Sequence, residues 1–347
     1  MQNTNNTPLR MSVQEFEQSV NQMLADAENE NNAFITRTGA EWLEHESSRP
    51  TPKKLFGEIW HQNELCILFS DTNVGKSILA VQIGDSIARG EAIAPFTFEG
   101  EAQKVIYFDF ELSGKQFETR YVDGAKQRYN FGGNFLRAEL NHEHMVPEGF
   151  DGFEDYICYC IEHEVIRRGA QIVIIDNITY LRSETEKAKD ALPLMKQLKA
   201  LKSKHNLSIL ALAHTPKRDR SQPISRNDLQ GSKMLINFCD SAFSIGESTK
   251  DPFIRYLKQI KQRNTEELYG AHNVIQYQIV KPGNFLHYDF MSFGYEGEHL
   301  RQRTDESQKQ TEDEIVDLRK QGLTVRQIGE QLGISFSKAA RVLRDKA

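Results

Sequence analysis

Leu65-Cys-Ile-Leu-Phe-Ser-Asp-Thr-Asn-Val-Gly-Lys-Ser77 runs an unbroken apolar stretch into a Gly-Lys-Ser, and Ile78-Leu-Ala-Val-Gln-Ile83 continues it with helical spacing. A run without alternation is what a strand buried on both faces requires. A short polar bend between such a strand and a helix presents successive backbone N–H groups and the positive end of the helix dipole, which together cradle phosphate. Ser70, Asp71, Thr72, Asn73, Val74, Gly75, Lys76, Ser77 and Ile78 are the expected contacts of a nucleotide triphosphate. Lys76 would reach the β- and γ-phosphates and the Ser77 hydroxyl would sit on Mg²⁺, making ATP and Mg²⁺ the expected cofactors. The stretch departs from G-x-x-x-x-G-K-[ST] at one place: Ser70 stands where the first glycine belongs.

Working outward, the site needs an acid near the metal. Gln171-Ile-Val-Ile-Ile-Asp176 places Asp176 at the C-terminal end of an apolar run, where α/β sites form. Asn177 follows it, so a base for the attacking water comes from elsewhere. Val105-Ile-Tyr-Phe-Asp-Phe-Glu111 ends another apolar run with two acids. Glu111 is the expected base and Asp109 its rival on the same strand face. His214 closes the run Leu207–Ala213 and is placed to sense the γ-phosphate.

Apolar runs alternate with helical patterns from Glu64 to about Phe290, the signature of βα units and a mostly parallel sheet. Strands are expected at Leu65–Phe69, Lys104–Phe110, Phe135–Leu140, Ile172–Ile175 and Leu207–Ala213. Later ones fall at Ala242–Ile245, Ile254–Ile260, Val274–Val280 and Phe285–Phe290. Helices are expected near Lys76–Arg89, Lys115–Tyr129, Asp151–Arg167 and Ala188–His205. The resulting division is an acidic, partly disordered arm over 1–50 with a weak amphipathic stretch at Val13–Ala25, a nucleotide-binding α/β domain over 51–300, a linker over 301–311 without any apolar residue, and a helical unit over 312–347.

Bulk properties narrow the classes. Hydrophobic residues are 39% and charged residues 27% of 347, the balance of an ordinary globular chain. No stretch approaches the roughly 20 apolar residues of a membrane helix, and Met1–Arg10 lacks the apolar core of a signal peptide, so the expected location is the cytoplasm without membrane contact. The four cysteines include no CxxC pair, and Cys158-Tyr-Cys160 reads as apolar packing rather than a metal pair. Met1–Pro50 holds eight acids against three arginines, a net of −5 out of the chain's −6, which leaves the remainder at −1 with local basic clusters. The overall charge therefore does not oppose nucleic-acid binding.

Five pieces in order, namely Ser70–Ser77, Phe108-Asp-Phe-Glu-Leu-Ser113, Asp176, His214 and Lys258-Gln-Ile-Lys-Gln-Arg-Asn264, resemble the RecA-like ring ATPases, particularly the RepA-type and DnaB-type replicative helicases. The resemblance covers about Leu55 to Phe290. It implies a RecA-like P-loop NTPase core and a homo-oligomer, expected as a hexamer, in which Lys261 and Arg263 act on the nucleotide of a neighbouring subunit, Arg263 as arginine finger. It also implies that Thr215–Met234, with five basic residues and two acids, lines a channel and meets single-stranded DNA through Lys217, Arg218, Arg220, Arg226 and Lys233. The segment has no aromatic residue for stacking, so its contacts would be to phosphate. The shorter Arg182–Lys189 stretch is mixed in charge and uninformative.

Beyond the linker, Glu314–Gly322, Thr324–Leu332 and Phe336–Arg344 carry apolar residues at three-helix spacing, with Gly333-Ile-Ser335 as a turn. This unit resembles the helix-turn-helix of resolvases and bacterial regulators. The likeness implies duplex DNA contact through Ser335, Ser337, Lys338, Arg341 and Arg344. Trihelical units of this kind also serve as protein docks. The expected activity is a DNA helicase or translocase in replication or in mobile-element or plasmid maintenance. The alternatives are a DNA-bound regulator or loader switched by ATP, and a KaiC-like signalling ATPase, for which the C-terminal unit would be an odd appendage.

Overall fold

The computed structural model describes residues 34–346 apart from 142, 144, 182–190, 217, 230–231 and 302–304, and the backbone alone at 191–192, 232–234 and 305–310. The Val13–Ala25 stretch, Arg182–Lys189 and Lys217 lie outside the described residues. The chain divides into two units, residues 1–51 and 52–347.

In the first unit, helix α1 (Gly39–Ser47) starts at Thr38, whose Oγ1 accepts the Glu41 N–H while the Glu41 carboxylate accepts the Thr38 N–H at 2.7 Å. This reciprocal cap satisfies two end donors. No residue of α1 is buried.

In the second unit, a small antiparallel pair β1 (Lys54–Phe56) and β2 (Trp60–His61) precedes β3 (Leu65–Ser70) and helix α2 (Lys76–Arg89). There follow β4 (Val105–Asp109), α3 (Gly114–Arg120), β5 (Phe135–Glu139), α4 (Phe153–Arg168), β6 (Ile172–Asp176), α5 (Ala191–His205) and β7 (Ser208–His214). Helix α6 (Ser232–Phe238) then leads to β8 (Ser241–Glu247), β9 (Ile254–Lys261), β10 (Val274–Val280), β11 (His287–Gly294) and the single turn α7 (Glu296–His299). The sheet runs β11-β10-β9-β8-β3-β7-β6-β4-β5. Its members from β8 to β5 are parallel, and β9, β10 and β11 extend it antiparallel.

The sheet is covered on both faces. One face buries Ile157, Ile161 and Val165 of α4 and Leu194, Met195 and Leu198 of α5 against Ile67, Val173 and Ile209. The other buries Leu79, Ile83 and Ile87 of α2 and Trp60 of β2 against Leu68, Ile174 and Leu210. Every residue of β3 is buried, and each large apolar side chain among them contributes roughly 1.5–3 kcal/mol by leaving water.

Two expectations about length are corrected. The helix expected over Lys115–Tyr129 ends at Arg120, because the ring of Tyr121 is buried against Phe117, Phe131 and Phe285 and the chain turns at Asp123, whose carboxylate accepts the Gln127 N–H at 2.8 Å. The segment 301–311 is not all linker, since α8 (Asp305–Lys320) begins inside it. Seven of its eleven residues are Arg, Gln, Glu or Lys, which are good helix formers, and composition alone does not separate such a stretch from an extended tether.

Helices α8, α9 (Val325–Leu332) and α10 (Phe336–Asp345) share a core of Ile315, Ile328, Ala339 and Val342, flanked by Leu318, Leu332 and Leu343. Gly333 ends α9 at φ 64°, and a Cβ on Gly329 would lie 3.0 Å from the Ile334 carbonyl, so the tight turn between α9 and α10 needs both glycines.

The segment after β7, expected as an irregular loop, is bolted to the sheet. The Ile224 N–H donates to Glu296 Oε1 at 2.7 Å, the Lys258 ammonium donates to the Ile224 carbonyl at 2.7 Å, and Lys258 and Glu296 pair with each other out of solvent. Removing one member of a buried ion pair leaves an uncompensated charge. Glu296→Ala is therefore expected to cost about 3–5 kcal/mol of stability, read as a lower denaturant midpoint, and pairing Glu296→Leu with Lys258→Met should recover only part of the loss, because the buried Ile224 N–H and carbonyl lose their partners.

Candidate functional site

The parallel strands deliver the expected site residues to one end of the sheet. Ser70 pairs with His214 across β3 and β7, and Asp109 with Asp176 across β4 and β6. The bend after β3 hands over to α2 at Gly75, which takes φ 108°; a Cβ there would lie 2.6 Å from the Tyr288 hydroxyl. Only glycine suits both the dihedral and the space.

Lys76 is buried, and its ammonium donates to the Ser70 carbonyl at 3.0 Å, the Asp71 carbonyl at 3.1 Å and His214 Nδ1 at 3.1 Å. Burial pushes its pKa down, and Asp176, Glu111 and Asp71 pull it back up. An ammonium can only donate, so Nδ1 of His214 accepts and the ring proton sits on Nε2. From there it is donated to Glu111 Oε1 at 3.0 Å. The amide of Asn177 donates to the same oxygen, while its carbonyl accepts the Thr179 N–H at 2.8 Å. The hydrogen bond from His214 holds the Glu111 carboxyl below its ordinary range, against burial, so it stays ionised and able to take a proton from water.

The two acids of β4 and its exit have separate duties. Asp109 Oδ1 accepts the N–H groups of Glu111 at 3.2 Å and Leu112 at 2.9 Å, and Oδ2 accepts Arg137 Nε at 2.8 Å. Its carboxylate is fully engaged and fixes the turn that carries Glu111. Arg137 in turn donates to the Leu112 carbonyl. Neither Arg137 nor Asn177 announces this role in the sequence, because strand register brings them in.

Asp176 is fully buried. Its Oδ2 accepts the Tyr107 hydroxyl, and its Oδ1 has no partner among the described residues. Burial raises the carboxyl to about 6, and the nearby Ser77 hydroxyl acts against the rise. An unpartnered buried carboxylate oxygen beside a serine hydroxyl is an oxygen donor set suited to a hard divalent cation. The residues present therefore fit Mg²⁺, with Ser77 and Asp176 as its holders.

Of the expected basic loop, Arg218 turns inward: its side chain is 8% exposed and lies 3.6 Å from Asp71. Arg220 lies 3.6 Å from Asp71 and 2.8 Å from Glu247. Arg226 donates to the Ile260 carbonyl at 3.1 Å from an exposed position, and Lys233 lies in α6. Thr215, which sequence reading passed over, donates to Asp71 as well.

Lys261 and Arg263 sit away from this chain's own phosphate bend. Ala242 pairs with Ile67 on one side and Lys261 on the other, which puts Lys261 three residues below Ser70, about 10 Å along the strand. Lys261 caps the end of α6 through the Ile236 and Cys239 carbonyls, and Arg263 pairs with Asp240 at 3.3 Å. In α10, the Ser335 hydroxyl accepts the Lys338 N–H at 3.2 Å and so serves as the helix cap. Ser337, Arg341 and Arg344 are exposed.

A protein-family model described as an AAA domain matches residues 32–220, more than half of the chain. No curated protein matches it. No helix among the described residues is long and apolar enough to cross a membrane.

Glu111→Gln is expected to keep nucleotide binding and slow hydrolysis by about 10²–10⁴-fold. A filter-binding assay beside phosphate release separates the two. If Asp109→Asn stopped turnover while Glu111→Gln turned over normally, the assignment of the base would be reversed.

Proposed function

Because the chain belongs to the AAA domain family of P-loop ATPases, we propose that it hydrolyses Mg-ATP and uses the cycle to move or switch on DNA. The observation that carries the ATPase reading is the convergence of four side chains at one end of the parallel sheet: Lys76 at the start of α2, Glu111 just past β4, and Asp176 and His214 at the ends of β6 and β7. Lys76 binds the terminal phosphates, and Ser77 with Asp176 holds the metal. Magnesium bound there supplies charge neutralisation for the phosphates. Glu111 orients the attacking water and accepts its proton. His214 spans Lys76 and Glu111, so a phosphate that claims the lysine alters the hydrogen bonding of the base.

The first reading of the DNA role is a ring translocase or helicase, in which Lys261 and Arg263 complete a neighbour's site in a homo-oligomer. Their distance from the local phosphate bend supports a role in trans over one in cis. The acts of replication or of plasmid or mobile-element maintenance suit such a motor. The second reading is an ATP-switched regulator or loader without unwinding. It is favoured by the pairing of the sheltered Arg218 with Asp71 and of the exposed Arg220 with Asp71 and Glu247, which leaves the segment after β7 fewer unpaired cations to offer a single strand. Both readings place duplex DNA on α10, through Arg341 and Arg344 with Ser337 and Lys338 beside them.

Turnover should disappear in Lys76→Ala. Single-stranded DNA raising the turnover of the unaltered chain several-fold, with strand displacement, supports the motor. Indifference to single strands with tight duplex binding supports the switch. Replacing Arg341 and Arg344 together by Ala should weaken duplex binding and flatten its salt dependence by about two in the slope of log K against log salt. Unchanged binding in that double variant would remove DNA from α10. Arg263→Ala mixed with Glu111→Gln should regain turnover if sites are shared between chains, and no mixture should if they are not.

A further inference from the structure

The phosphate bend is closed from behind by two residues of the antiparallel extension. The Val74 carbonyl accepts the Tyr288 hydroxyl at 2.9 Å and Arg255 Nε at 3.2 Å. Val74 and Tyr288 are both buried. Tyr288 is itself held in place, since the Gln82 side-chain amide donates to the Tyr288 carbonyl at 2.9 Å and accepts the Tyr288 N–H at 2.8 Å. Gln82 lies on α2, the helix that the bend opens. A closed frame therefore runs from α2 through Gln82 and Tyr288 back to Val74. Arg255 adds a second frame: its guanidinium also meets Glu247 at 3.2 Å, and Glu247 meets Arg220 at 2.8 Å, which approaches Asp71 on the far side of the bend.

The peptide joining Val74 to Gly75 is trans. In a planar trans peptide the carbonyl and the following N–H point in opposite directions. Fixing the Val74 oxygen against Tyr288 and Arg255 therefore turns the Gly75 N–H the other way, into the hollow of the bend. Gly75 has no side chain to hold its own orientation, and the missing Cβ that lets it take a positive φ also gives it more backbone freedom than any other residue type. An N–H at such a residue is a good phosphate donor only when something outside the bend sets the plane of its peptide.

We infer that Tyr288 and Arg255 are positioning residues for phosphate binding, which aim the Gly75 N–H at the nucleotide by holding the Val74 carbonyl. The inference rests on the nucleotide reading proposed above and adds to it two residues that lie 181 and 214 positions along the chain from Val74. Neither residue touches substrate. Both act through one peptide plane.

The test uses the full chain, with Mg-ADP and a non-hydrolysable ATP analogue as probes. Tyr288→Phe keeps the buried ring and deletes the donor. It should weaken both nucleotides by about 3- to 10-fold, the size of one hydrogen bond. In turnover it should raise KM by a similar factor with kcat nearly unchanged, since the cradle grips ground and transition states alike. Arg255→Met should act in the same direction, and Arg255→Lys, which retains a donor, should recover part of the loss. A residue that only stabilised the fold would lower the melting temperature of the protein without nucleotide, and saturating nucleotide would bring no selective recovery.

Tyr288→Phe and Arg255→Met both binding Mg-ADP as the unaltered chain does, while Lys76→Ala loses it, would overturn the positioning role and leave the nucleotide site standing. An unaltered chain that does not bind Mg-ADP would overturn both. If Tyr288→Phe fails to fold, Arg255→Met against Arg255→Lys decides alone, because Arg255 lies at the partly open edge of the frame.

Discussion

A loop can grip a phosphate with backbone N–H groups only when those groups are left unpaired by the protein and yet held still. The two demands oppose each other, because unpaired backbone is mobile backbone and buried unpaired backbone is costly. The bend between β3 and α2 meets both demands by being anchored at its edges. Its strand is buried on both faces, its helix begins directly at Lys76, and its carbonyls carry the restraint: Ser70 and Asp71 accept the Lys76 ammonium, Ser70 accepts the Thr215 N–H, and Val74 accepts Tyr288 and Arg255. Fixing a carbonyl on the outside fixes an N–H on the inside. The antiparallel strands β9 and β11 enter that restraint, since they bring Arg255 and Tyr288 to the bend.

The same region concentrates charge where water is scarce. Buried charges persist only when paired and hydrogen-bonded. Lys76 is surrounded by Asp176, Glu111 and Asp71, yet none of the three is spent on it by direct pairing. Glu111 is held by His214 and Asn177, Asp176 by Tyr107, and Asp71 faces Arg218, Arg220 and Thr215. Each acid thus has a partner of its own, while Lys76 is satisfied mainly by carbonyls, which yield readily to a more negative ligand. Among these acids Asp176 keeps one oxygen, Oδ1, without a hydrogen-bond partner among the described residues, and a cation there would complete the balance.

Much of this was legible in the sequence, and the reasons it was or was not are physical. Buried parallel strands declare themselves as unbroken apolar runs, so β3, β4, β6 and β7 could be placed within a residue or two, and the polar residues ending them marked the active edge. Glu111 is expected over Asp109 from the sequence, but the physical reason lies in the register of β4 against β5, which brings Arg137 onto the Asp109 carboxylate. The helix at Gly114–Arg120 was over-read because apolar spacing continued past it, while the aromatic cluster around Tyr121 used those residues for packing instead. Tyr288 and Arg255 gave no signal, since each lies more than 180 residues from Val74 and neither belongs to a motif. The basic segment after β7 was read from composition. Composition counts cations but does not show that Asp71, Glu247 and the Ile260 carbonyl already receive three of them.

That last point bears on how a nucleotide site and a nucleic-acid site could communicate in this chain. Arg218 and Arg220 touch the phosphate bend through Asp71, and their segment is tied through Ile224 to Glu296 and Lys258. Lys258 lies on β9, three residues after Arg255 on the same strand. A polyanion that drew Arg218 and Arg220 outward together would leave Asp71 without its cations, and the loss of Arg220 would leave Glu247 to Arg255 alone. The potential at the bend would change, and so would the restraint on the Val74 carbonyl. Linkage is reciprocal in binding free energy, so nucleotide charge in the bend would alter the hold on those arginines by the same amount. No long relay of side chains is needed for such coupling, because the segment that would meet DNA is already in contact with the loop that would meet phosphate.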